Sequence, residues 1–191
     1  LGSRIMHLVI ANRIADNLSI KDKTSFLLGG IEADAVSPKD LSHFYKGDVN
    51  NYSRYIDYKE FIHKYSSNID SHFIQGYYTH LIADDIWLKG FYLPWLKNRM
   101  EADKSIFNQY HNDFRLLNGR LLDYNGYTQQ LSAAISKNGT IIETEEVKFD
   151  DIKKLVPYVI GYMDYGREEL EQPLAVFTLE QIIGYIETSV D

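Results

Sequence analysis

His80 and Asp84 stand one helical turn apart in Gly76-Tyr77-Tyr78-Thr79-His80-Leu81-Ile82-Ala83-Asp84-Asp85, so both project from one helix face. A neutral imidazole and a carboxylate at that spacing can close on one divalent cation. Gly76, a turn earlier, is a small residue that leaves room beside them. In isolation the pair serves equally well as a solvated hydrogen bond. Three upstream residues strengthen the metal reading. His7 interrupts the apolar run Ile5-Met6-His7-Leu8-Val9-Ile10, Asp34 follows Phe26-Leu27-Leu28-Gly29-Gly30-Ile31, and His43 lies in Ser42-His43-Phe44 after the breaker Pro38. A polar side chain buried in such surroundings needs a partner. Three imidazoles and two carboxylates suffice for one closed metal site or two open ones. Taken singly, His7 reads as a satisfied core histidine, Asp34 as a turn carboxylate and His43 as a loop residue.

The ordered set His7, Gly29-Gly30-Ile31-Glu32-Ala33-Asp34, Ser42-His43-Phe44 and Gly76-x-x-x-His80-x-x-x-Asp84 resembles the bacterial zinc-dependent phospholipase C family over roughly the first half of the chain. The resemblance implies an all-α, single-domain helical bundle spanning residues 1–191. It implies one zinc among Asp34, His43, His80 and Asp84, with Asp84 bridging to a second metal that His7 also binds. It also gives Asp34 a second role, as catalytic general base. Two departures stand out. Where secreted members use the amine and carbonyl of an N-terminal Trp, this sequence reads Leu1-Gly2-Ser3, and no H-x-x-x-E follows Asp84. A full three-zinc set is therefore not expected, and the lipid substrate that the family name implies does not carry over directly. His111, in Tyr110-His111-Asn112-Asp113, is a candidate to complete the second metal and equally a helix-surface histidine.

The function expected is metal-dependent phosphoester hydrolysis by a metal-activated water, with zinc as cofactor and a small phosphoester or phospholipid as substrate. The alternative is a non-catalytic helical protein whose same residues hold a structural metal or a buried polar network. A nucleotide phosphohydrolase of the HD type fits less well, because no His-Asp dipeptide occurs.

Composition narrows the rest. The 191 residues, 45% hydrophobic and 25% charged, suit one globular domain. A formal net charge of −7 disfavours nucleic-acid partners. With no Cys, any metal must use His and carboxylate ligands. No run approaches the ~20 apolar residues of a membrane span. No signal-peptide pattern is visible, which favours the cytoplasm while leaving export open. Oligomeric state is not encoded legibly.

The elements that must position these residues read as helices. Ser3 caps a helix to about Leu18, and Ser25–Ile31 is a short buried helix broken by Gly29-Gly30. The loop from Glu32 to Asn51 forms the rim of the site. Ser53 opens a helix toward Tyr65, and Asp70 opens the ligand helix, which should end before Pro94. Another helix runs from about Glu101 to Tyr124. Asn125-Gly126 and Asn138-Gly139 punctuate the chain, and a small β excursion is expected near 140–149. Asp150 starts a helix containing Pro157, and Thr178-Leu179-Glu180-Gln181 is a capping box that starts the last one. Asp85 should lend outer support or face solvent, His63 should face solvent, and His72 should reach at most a pocket lip. Tyr77, Tyr78, Phe91, Tyr92 and Trp95 are core or pocket wall.

Overall fold

The computed structural model describes residues 2–191 and is mostly helical. Helix α1 (Arg4–Asn17) starts where the Ser3 side chain accepts a hydrogen bond from the Met6 amide, as its capping role predicts. From Ile5 to Asn12 every residue is buried, so α1 runs through the centre rather than along the surface. Two hydrogen bonds from the Arg13 guanidinium to Glu187, at 2.7 and 2.9 Å, tie it to the terminal helix α10 (Leu179–Val190).

Helix α2 (Lys23–Glu32) is capped by Asp22 and passes unbroken through Gly29-Gly30, contrary to the sequence expectation. The physical reason lies in its neighbour α4 (His72–Trp87). A Cβ on Gly29 would stand 2.0 Å from the Phe73 carbonyl oxygen, and one on Gly76 would stand 2.0 Å from that of Phe26. The two backbones meet at these glycines, so Gly76 makes room for α2 rather than for a ligand. That close crossing fixes His80 relative to the end of α2.

After α2, a 3₁₀ turn (Ala33–Ala35) carries Asp34. The only sheet among the described residues is the antiparallel pair β1 (Tyr45–Lys46) and β2 (Tyr55–Ile56), with Tyr45 opposite Ile56. The strand expected near 140–149 does not form. There the Thr140 amide binds Ser25 Oγ at 2.7 Å, and the Val147 amide bonds back to Thr144 Oγ1 at 3.1 Å. These polar groups are satisfied by α2 and by a local turn, which leaves no ladder to complete.

Helix α3 (Tyr58–Lys64) starts at Asp57, later than expected, because Tyr55–Ile56 is committed to β2. The ligand helix does not stop before Pro94. It continues as a π-helix over Leu88–Leu96 and then as α5 (Lys97–Ala102). Pro94 offers no amide for an α-helical bond, and the wider turn accommodates that loss. Phe91 stacks on Trp87 at 4.5 Å between centroids, and Trp95 packs on Phe177. Phe91 and Trp95 are therefore partly buried aromatics packed against the core. Helix α6 (Ser105–Asn125) ends at Gly126, whose φ of 72° is the left-handed cap expected of Asn-Gly. Helices α7 (Thr128–Ile135), α8 (Phe149–Gly161, with Pro157 inside) and α9 (Arg167–Glu171) complete the shell. The Thr178–Gln181 capping box opens α10 as expected. No helix among the described residues is long and apolar enough to cross a membrane.

Candidate metal centre

Five of the six sequence-derived ligands converge. His7 arrives from α1, Asp34 from the 3₁₀ turn, His43 from the loop before β1, and His80 and Asp84 from α4. All five side chains are buried. Two overlapping trios, His7/Asp34/His80 and His43/His80/Asp84, each place their ligand atoms within 4.8 Å of one another.

Two of the three imidazoles, His80 and His43, are oriented by backbone carbonyls. Nδ1 of His80 lies 2.8 Å from the Gly30 carbonyl oxygen, and Nδ1 of His43 lies 3.1 Å from that of Lys39. A carbonyl only accepts, so each Nδ1 carries a proton and a neutral ring presents a bare Nε2 lone pair. Those two Nε2 atoms face each other at 3.3 Å. Two lone pairs so placed repel unless a proton or a cation lies between them. Asp84 divides its oxygens: Oδ1 is 3.1 Å from His7 Nε2, while Oδ2 is 3.3 Å from His43 Nε2 and 3.6 Å from His80 Nε2. The His7 contact is close but not aligned as a hydrogen bond. Both His7 ring nitrogens and Asp34 Oδ2 are therefore buried without hydrogen-bond partners. Orphaned donors and acceptors of the types that bind zinc fit a divalent cation at this place.

Electrostatics follows from burial. Burial and the neighbouring His7 push the His80 imidazole down to about 4, so it is neutral at pH 7. Burial opposes charge on His43, but Asp34 and Asp84 outweigh it and raise its pKa above the ordinary value. Burial would likewise raise Asp34 and Asp84. For Asp34 the hydrogen bond from His43 and the charges of His80 and Lys39 prevail; for Asp84 His7 and His43 are among the groups that prevail. Both carboxyls stay well below the usual range.

The sixth ligand does not join. His111 is exposed on α6, edge-on to Phe107 at 4.5 Å between centroids, and belongs to neither trio. Its neighbours Tyr110 and Asp113 take the inward positions. His111 instead lines a cavity of about 990 Å³ that also reaches Asp34, Tyr45 and Tyr92. Asp85 supports β2 by accepting from the Ile56 amide at 3.4 Å and pairs with Lys89 at 2.5 Å. His63 is exposed, as expected. His72 is no pocket lip; its Nδ1 accepts the Asp22 amide at the start of α2. Tyr77 is core, its hydroxyl donating to the Ser42 carbonyl oxygen at 2.6 Å. Leu1 lies outside the described residues, but the Gly2 amide donates to Asp84 Oδ1 at 3.2 Å.

Three residues at the site went unread in the sequence. Lys39 pairs with Asp34 Oδ1, Tyr45 stacks on His43, and Arg4 donates to the Asp34 carbonyl oxygen at 3.3 Å. Lys39 and Tyr45 flank His43 by four and two residues, which is the only local signal they carry.

Compared with protein-family profiles, curated proteins and solved structures, the chain matches none.

Proposed function

We propose that this protein is a metal-dependent phosphoesterase, a divergent relative of the zinc-dependent phospholipase C family. The observation that carries the proposal is that Asp34 belongs both to the buried ligand cluster and to the wall of the large cavity. A structural metal is closed off by protein ligands, whereas a catalytic one needs an approach for substrate and water. Here a ligand stands at that approach.

His7, Asp34, His43, His80 and Asp84 would hold zinc, with the two oxygens of Asp84 serving different imidazoles. When bound, the ion supplies a Lewis acid for a phosphoryl oxygen and a water acidified toward neutrality. The chain's own groups do the rest. Carbonyls of Gly30 and Lys39 keep the His80 and His43 rings turned with Nε2 inward. Asp34, whose carboxyl is held below the usual range, would accept the water's hydrogen bond, orient it toward the phosphorus and receive its proton. The apolar core behind His7 and His80, which stack at 3.7 Å between centroids, excludes other water.

Asp34→Asn tests the assignment. In protein loaded with zinc, p-nitrophenyl phosphate hydrolysis should fall at least about a hundred-fold, the usual scale of a general base, while bound zinc stays near wild type. Unchanged turnover at equal zinc content would remove Asp34 from catalysis.

A further inference from the structure

The cavity wall has the opposite charge to the rest of the molecule. The chain has 27 acidic and 20 basic residues, yet Arg4, Lys39, Lys97, Lys104 and Arg115 line the cavity against only Asp34 and Glu101. Lys97 is paired with Glu101 at 2.7 Å, and Arg115 lies 3.4 Å from Glu169. Lys104 has no ion pair among the described residues. Lys39 is distinct because its ammonium alone among these five touches the ligand cluster, on Asp34 Oδ1. Its side chain is 43% exposed, so it reaches in from the solvent side of the cavity. Its main chain is held by the bond between its carbonyl oxygen and His43 Nδ1. That main-chain anchor sets the root of the side chain beside the cluster, and the flexible stem lets the ammonium turn from Asp34 toward the cavity.

Charge counting then separates substrate classes. With neutral imidazoles, Asp34, Asp84 and Lys39 sum to one negative charge, and a single divalent cation reverses that to one positive. Arg4, against the Asp34 carbonyl oxygen, adds a second positive charge on the same wall. A dianion neutralises such a site, whereas a diester bearing a cationic group would place like charges together.

Building on the phosphoesterase reading, we infer that Lys39 is a substrate-binding residue that selects phosphate monoester dianions over phosphodiesters with a cationic headgroup. Its ammonium leaves Asp34 to meet a non-bridging phosphoryl oxygen, a charge-assisted contact made on the cavity side.

The test uses protein carrying stoichiometric zinc with no free zinc, at a pH near 8 where inorganic phosphate is a dianion. Calorimetry should show phosphate binding to Lys39→Met about ten-fold or more weaker than to wild type, with Lys39→Arg retaining most of it. Affinities are compared at equal zinc content, and melting temperatures confirm that all three proteins are folded. In parallel, the ratio of kcat/KM for p-nitrophenyl phosphate over p-nitrophenyl phosphorylcholine should favour the monoester in wild type and collapse in Lys39→Met. Equal phosphate affinity in wild type and Lys39→Met at equal zinc content would overturn the inference and leave the phosphoesterase reading standing. So would a wild-type preference for the phosphorylcholine ester. Protein that takes up no zinc would overturn both.

Discussion

At the residue scale, the facing Nε2 atoms of His43 and His80 dominate the site's chemistry. In the metal-free protein a proton on His43 relieves their repulsion, and Asp34 and Asp84 hold it there. Because the folded-state pKa of His43 is raised, its contribution to stability is full below about 6.5, the unfolded value, and fades as pH rises through the folded value. Zinc needs the deprotonated ring, so its stabilising effect grows in the same window. His80 is already neutral there and adds nothing to the slope. The melting-temperature increment from zinc should therefore widen as pH rises from about 6.5 toward the raised folded-state value of His43. An increment that is flat or shrinking over that range would contradict this explanation. Among the five candidate ligands, His7 and Asp34 were legible because they fall within or at the end of apolar runs, where an unpaired polar group would be destabilising, and His80 with Asp84 because they share a helix face. The sequence leaves His111 open between ligand and helix-surface residue, and the structure gives the second: Tyr110, Asp113 and Leu117 are buried on the inward face of α6, and His111 lies off that stripe. Lys39 sits in the polar run Ser37-Pro38-Lys39-Asp40, where periodicity says nothing about direction.

At the scale of elements, the crossing of α2 and α4 positions everything else. His80 Nδ1 bonds to Gly30 one residue beyond the Gly29 contact, so the spacing of the two backbones sets the ring's position. Gly76→Ala should destabilise the fold by about 3 kcal/mol, the upper end of ordinary overpacking, because its Cβ would meet backbone that cannot swing away. Gly184→Ala on α10, where a Cβ meets nothing within 4 Å, should instead be neutral or stabilising by about 0.5–1 kcal/mol. Denaturant midpoints of the two variants provide the comparison, and similar destabilisation in both would refute the role given to the crossing. Helix starts marked by Ser3 and Thr178, and the Gly126 stop, were readable because capping is local. The unbroken α2, the π-helix through Pro94 and the missing strand near 140–149 were not: α2 is decided by a helix distant in sequence, the 140–149 segment partly by Ser25, and the π-helix by how the turn widens around Pro94. Local propensity favours breaking a helix at Gly29-Gly30; a close neighbouring helix reverses that preference.

For the whole molecule, the proposed metal centre would couple folding to metal binding, since its candidate ligands from α1, the 3₁₀ turn, the β1 approach and α4 meet only in the native state. On that proposal, free zinc at a hundred times its dissociation constant would add about 2.7 kcal/mol to stability. For a chain of this length that corresponds to a rise in melting temperature of roughly 5–10 °C. The mostly helical character was legible from caps and breakers such as Ser3, Thr178 and Asn125-Gly126, whereas the central helices α1 and α2 are buried nearly all round and show little periodicity. Convergence of the ligands could not be read from spacing, which orders residues along the chain without placing them in space. The most direct test is the metal content of wild-type protein and His80→Ala, both purified without chelator or metal-affinity tag. Near-stoichiometric bound metal is expected in the wild type, with zinc the expected ion, and its loss in the variant. Folded wild-type protein that carries no metal, and whose melting temperature does not move with added zinc, would contradict the metal centre.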